Sequence, residues 1–109
     1  MSMPSNIQSI DAVAFAKAIA DDTRQRIMRL CCCNRLTVGD ITAQIGVSQP
    51  TVSHHLAILR GAGLIDCVRE GREAYYWLNQ ERITMCCNSL ILQFAPQQID
   101  PKLVVPVVQ

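Results

Sequence analysis

A mainly α-helical domain with one β-hairpin is the fold class this sequence predicts, and three observations carry it. Apolar residues recur at three- and four-residue spacing through several capped stretches between Ile10 and Leu59, as they do on helices that bury one face. Two of those stretches meet at a short turn containing Gly46, the pattern of a helix-turn-helix. Two strand-like runs, 64–69 and 72–78, then flank Glu70-Gly71, and glycine there supplies the hairpin turn.

The elements follow in order. Residues 1–8 read as a flexible arm, residues 9–95 as the domain and residues 96–109 as a C-terminal tail. Ser9 or Asp11 caps a first helix running through Ala20, because a short polar side chain satisfies free amides there. Asp21-Asp22-Thr23 breaks that pattern and caps a second helix. Its inner stripe is Ile27, Leu30 and Cys31, and Asn34 is its expected left-handed stop. Thr37 begins a third helix, with Asp40 complementing the dipole of its first turn and Gly46 ending it. Ser48 caps a fourth, where Pro50 fits the first turn because no amide donor is needed. Val52, Leu56 and Leu59 face inward, and Gly61 and Gly63 close the helix. After the hairpin, a last helix runs from about Gln80 to Phe94 and stops before Pro96. Ile83, Cys86, Cys87, Leu90, Ile91 and Phe94 make one of its sides strongly apolar, which suggests a partner surface.

Composition bounds the function. The chain has 109 residues, enough for one domain, with 50% hydrophobic and 5% aromatic residues. A domain this small buries a modest core, so dimerisation would help it. Net charge is +1, low for a purely electrostatic binder of nucleic acid. Arg60, Arg69 and Arg72 nevertheless cluster around the hairpin. Neither a signal peptide nor a membrane span is evident, so the expected compartment is the cytoplasm, with no membrane partner. There, six cysteines are not expected to form a disulfide framework. Buried thiols, metal ligands and redox sensors remain.

The fourth helix carries the clearest chemistry. Ser48, Gln49, Thr51, Ser53 and His54 are side chains that reach base edges or phosphates from a helix seated in the major groove. Arg69 and Arg72 on the wing would lie against the backbone or minor groove. The competing structural reading leaves Ser48 as a cap only and the arginines as solvated charges. His54-His55 is a poor zinc pair, because adjacent helical residues diverge by about 100°.

Helix, helix, helix-turn-helix, hairpin, helix is the order of a winged helix. From Phe15 to Leu78 the sequence resembles the ArsR/SmtB family of bacterial metalloregulatory repressors. The resemblance rests on 17–24 (Lys17 to Arg24), Arg26-Ile27, 48–56 (Ser48 to Leu56) and Leu59-Arg60. It continues through Ala62-Gly63-Leu64-Ile65, Arg69-Glu70-Gly71-Arg72 and Tyr75-Tyr76. It implies a homodimeric repressor, paired through its first and last helices, that binds inverted-repeat operator DNA and leaves it when an inducer binds.

The sequence departs from the family's best-known sensor sites. Where the arsenic and cadmium sensors carry Cys-Val-Cys-Asp, this chain has Thr37-Val38-Gly39-Asp40, and its last helix has no histidine for a zinc site. It has instead Cys31-Cys32-Cys33 and Cys86-Cys87. Thiolates are soft ligands for As(III), Cd(II), Cu(I) or Zn(II), and three sulfurs suit pyramidal As(III). Three consecutive helical cysteines cannot all chelate one ion without unwinding, although a helix end frays easily. Cys31 also fits the core stripe as a small hydrophobe, and Cys67 reads as structural. The leading expectation is a repressor induced by As(III) or another thiophilic ion bound by Cys31, Cys32, Cys33, Cys86 and Cys87, with no organic cofactor. The alternative is a thiol redox or reactive-sulfur sensor on the same scaffold. A small thiol enzyme or metallochaperone is the remote reading, without a Cys-X-X-Cys motif or a nucleophile–base pair to support it.

Overall fold

The computed structural model describes residues 10–98. Its elements are α1 (Ala12–Ile19), α2 (Asp22–Cys31), β1 (Leu36–Thr37), α3 (Val38–Ile45), α4 (Gln49–Gly61), β2 (Ile65–Glu70), β3 (Glu73–Leu78) and α5 (Gln80–Phe94), followed by a 3-10 turn at Pro96–Gln98. This is a winged helix-turn-helix. The arm expected over 1–8, Ser9 and residues 99–109 of the tail lie outside the described residues.

Local chemistry sets the helix starts. The side chains of Asp11, Asp21, Thr37, Ser48 and Asn79 each accept a backbone N–H from the first turn of the helix that follows. Thr37 and Asp40 form a reciprocal capping box, satisfying two otherwise free amides. Gly46 ends α3 in the left-handed region at φ 84°, which lets the chain turn sharply into α4.

The core lies between the helix-turn-helix, α1, α2 and the root of the wing. Phe15, Ile27, Ile41, Val52, Leu56, Leu59, Leu64 and Ile65 are all buried in it, along with Cys31 and Cys86. The three buried side chains of α4, Val52, Leu56 and Leu59, occupy one stripe at the helical period. That stripe leaves the other side of α4 to solvent.

Three sequence expectations need correction. The sheet has three strands rather than two, in the order β1-β3-β2. Leu36 pairs with Tyr76 and Thr37 with Tyr75, so the residues just before α3 also close the inner edge of the wing. The hairpin is shifted by one residue: Glu70 pairs with Glu73, leaving Gly71 and Arg72 as a two-residue turn. Gly71 sits at φ 64°, and Arg72 is at the wing tip rather than in a strand. Asn34 is not a left-handed stop, since α2 ends at Cys31 with Cys32 as a right-handed cap. Instead, the Asn34 side-chain amide donates to the Leu30 carbonyl at 3.3 Å, capping the helix from outside.

Candidate functional site

The exposed side of α4 presents the residues expected from the sequence. Ser48, Gln49, Thr51, Ser53 and His54 are all exposed, on a helix whose opposite stripe is anchored in the core. The Ser48 hydroxyl accepts the Thr51 amide at 3.4 Å and lies 2.8 Å from the Thr51 hydroxyl. Capping and presentation therefore coexist at Ser48. No acidic residue occupies the first turn of α4, so its amide end is open to an anion.

His55 behaves differently from His54. It is half-buried, with Nδ1 3.2 Å from Arg24 Nη1 and 4.0 Å from Asp21 Oδ2. Arginine only donates, so His55 accepts at Nδ1. Arg24 Nε and Nη2 also donate to the carbonyls of Ala18 at 2.6 Å and Lys17 at 3.1 Å. One guanidinium thereby ties the end of α1 to the recognition helix. Asp21, accepting the Arg24 amide and facing its charge and His55, has its carboxyl held below the usual range.

The wing adds the basic edge. Arg69 and Arg72 are exposed, and Arg69 Nη1 donates to the Arg72 carbonyl at 3.5 Å across the turn. Between α4 and the wing, a groove of about 350 Å³ is lined by Ser53, Ala57, Arg60 and Tyr76 among others. Burial pushes the Tyr76 phenol up, while the nearby charges of Arg60 and Arg69 pull the other way. Recognition helix and wing thus bring arginines to one face. Tyr76 was not singled out from the sequence as part of this face. Its sequence signal was its place in the second strand-like run and in the Tyr75-Tyr76 pair of the family resemblance.

The thiols separate into distinct settings. Cys31 is 0% exposed and Cys86 2% exposed. Burial raises the Cys31 thiol to about 11, and burial also raises that of Cys86. Cys32 and Cys33 lie beyond the end of α2 with their sulfurs 3.4 Å apart. They line a groove of about 540 Å³ with Arg35, Trp77 and Gln80. The contact with Cys33 raises the Cys32 thiol, with a smaller contribution from burial. Cys87 is exposed and borders a different, apolar cavity with Phe15, Met28 and Ile83. Cys67 is half-buried in β2, opposite Tyr76. Among the described residues, no three His, Cys, Asp or Glu side chains gather closely enough within one chain to hold a metal ion. Nor is any described helix long and apolar enough to cross a membrane.

An exposed polar recognition helix beside a basic wing defines a winged-helix DNA-binding protein. Comparison with known proteins then places the chain more narrowly. A family described as bacterial regulatory protein, arsR family, matches residues 21–66. The transcriptional repressor SdpR of Bacillus subtilis is 44% identical over 63 residues, spanning 58% of this chain and 70% of that protein. A structure titled reduced HlyU, from Vibrio cholerae, shares 32% identity with a TM-score of 0.62, covering 77% of this chain and 88% of its own. A structure titled possible transcriptional regulator for arsenical resistance shares 30% identity with a TM-score of 0.64, over 77% and 83% of the two chains. This chain belongs to the ArsR family. It is a DNA-binding transcriptional regulator and not an enzyme.

Proposed function

We propose that the chain is a homodimeric repressor of an inverted-repeat operator, released when cysteine thiols bind a thiophilic inducer, trivalent arsenic first. The observation that carries the inducer reading is the pair of sulfurs 3.4 Å apart at Cys32 and Cys33, in a groove that reaches the wing. Cys31, Cys86 and Cys87 complete the pool of candidate ligands.

Thiol protonation favours arsenic over divalent cations. A cation must displace the thiol protons, and the thiols of Cys31, Cys32 and Cys86 are all raised. Arsenous acid carries its own leaving groups: each thiol proton departs with an arsenic hydroxide as water, and an As–S bond replaces As–O. A relative's title naming arsenical resistance supports the same assignment.

The homodimer is supported by an apolar surface on α1 and α5. Val13 and Leu92 are 62% exposed and Phe94 is 77% exposed, which is unusual for large apolar side chains in a small domain. Ser48, Gln49, Thr51, Ser53 and His54 read the operator, and Arg69 and Arg72 hold its backbone. With operator DNA as partner, the compartment we assign is the cytoplasm.

The close sulfur pair also favours a second reading, in which an oxidant such as a peroxide takes two electrons from the thiols. A disulfide forms and two waters leave. The structure titled reduced HlyU makes this the natural competitor. A gel shift on the DNA upstream of the gene separates them. Release by arsenite under reducing conditions supports the arsenic reading; release by peroxide alone replaces it with the redox reading.

A further inference from the structure

The groove at the end of α2 has a built shape that the recognition face does not use. All three consecutive cysteines line this groove, but Cys31 is fully buried, so Cys32 and Cys33 are the two with exposed surface. Two sulfurs bound at about 2.3 Å to one tetrahedral ion stand about 3.8 Å apart, and about 3.3 Å apart when the angle at the ion is near 90°. The observed 3.4 Å matches the narrower, pyramidal case. With two sulfurs supplied, a pyramidal centre keeps one substituent of its own.

The surroundings indicate where that substituent lies. The guanidinium of Arg35 sits 4.6 Å from the centre of the Trp77 ring, a cation–π contact on the groove wall. Arg35 Nη2 also reaches Glu70 Oε2 at 3.8 Å, at the tip end of β2 and next to Arg69. From the other side, the Gln80 amide in the first turn of α5 donates to the Cys32 carbonyl at 2.5 Å. The dithiol thus shares one groove with Arg35 and with Trp77 of the wing, and the Cys32 backbone is tied to α5 through Gln80.

Resting on the arsenic reading above, we propose that Cys32 and Cys33 form a two-thiolate site for a trivalent arsenical whose third substituent lies along Trp77. There it displaces Arg35 and so unfastens the wing. Two As–O bonds break, two As–S bonds form, and both thiol protons leave as water. A hydroxide or an apolar organic group can be the third substituent. The two share the same sulfur chemistry, and the arms of the test distinguish them.

Trp77 is the chain's single tryptophan, so its fluorescence reports this groove alone. The full chain is titrated with arsenite and, separately, with phenylarsine oxide, in a phosphine reductant. The expected result is saturable quenching at one arsenic per chain, larger for the phenyl compound. Cys32→Ser or Cys33→Ser should weaken it about 100-fold or more, because the second thiolate binds as an intramolecular partner. Cys67→Ser, outside the pool of candidate ligands, should leave it unchanged. Quenching with a wild-type midpoint in the Cys32→Ser, Cys33→Ser double variant overturns the site. If that double variant, folded by circular dichroism and binding operator, is still released by arsenical, the site falls while the arsenic reading stands. If wild type neither binds arsenical nor leaves DNA, both fall. Arg35→Gln tests the link to the wing: quenching should persist, while operator binding should already be weakened without arsenical and fall little further when it is added. Normal release from Arg35→Gln overturns that link.

Discussion

Arg24 Nη1 stands 3.2 Å from His55 Nδ1, joining the first turn of α2 to the middle of the recognition helix. The adjacent His54 is exposed. Two neighbouring histidines therefore sit in opposite settings. His55→Ala should cost about 1–3 kcal/mol of stability, since it removes the acceptor of a half-buried charged donor. His54→Ala should change stability by less than about 0.5 kcal/mol yet weaken operator binding. Urea unfolding and DNA titration of both variants check the split, and equal destabilisation by the two would contradict it.

Gly63 and Gly61 make a second contrasting pair. Gly63 has φ +77°, and a methyl group there would stand 3.1 Å from Arg82 Nε, a buried nitrogen that has no hydrogen-bond partner. Gly63→Ala should therefore cost about 1–2 kcal/mol from the left-handed backbone alone, with crowding against Arg82 in addition. Gly61 lies within α4 with nothing close to its missing Cβ, so Gly61→Ala should stabilise by up to about 1 kcal/mol. Thermal melts of the two variants should move in opposite directions.

The thiol of Cys31 makes stability depend on alkaline pH. Its value rises from 9.0 to about 11 on folding, so the native state keeps a proton that the unfolded chain releases. Its contribution is fully present below pH 9 and is lost as pH rises towards 11. A two-unit shift corresponds to about 2–3 kcal/mol. Under reductant, Cys31→Ala should be less stable near neutrality because of the cavity, but should lose this alkaline decline. Denaturant midpoints of both proteins at pH 7, 9 and 11 check it.

The wing arginines and Gln49 should separate affinity from specificity. Replacing Arg69 or Arg72 by Ala should weaken binding to all sequences alike and reduce the salt slope by about 0.9 for each phosphate left without its arginine. Gln49→Ala should instead relax discrimination at one base pair by about 1–3 kcal/mol. Competition titrations at several salt concentrations distinguish these effects.

Helix starts were legible in the sequence because capping is local: Asp21, Thr37 and Ser48 each act within three residues of themselves. The stripe Val52, Leu56 and Leu59 was legible for the same reason, as a period on one helix. Strand β1 was not, since two residues cannot show alternation and their pairing with Tyr75 and Tyr76 is long-range. The cysteines were legible as clusters but only in part as geometry. Cys31 on the inner stripe of α2 and Cys86 on the apolar side of α5 were legible and are buried, but the early end of α2 beside Cys32 and Cys33, and the separate cavity that Cys87 borders, depend on packing.

Fluorescence anisotropy of labelled operator DNA, titrated with the reduced full chain at increasing arsenite, tests the central claim most directly. An inducer coupled to DNA by about 1–3 kcal/mol lowers operator affinity about 5–150-fold. The account predicts a fall in that range, reversed by a competing small dithiol. Removing Cys32, Cys33, Cys86 and Cys87 together should abolish the response. Unchanged operator affinity at an arsenite concentration that saturates the thiols would contradict it.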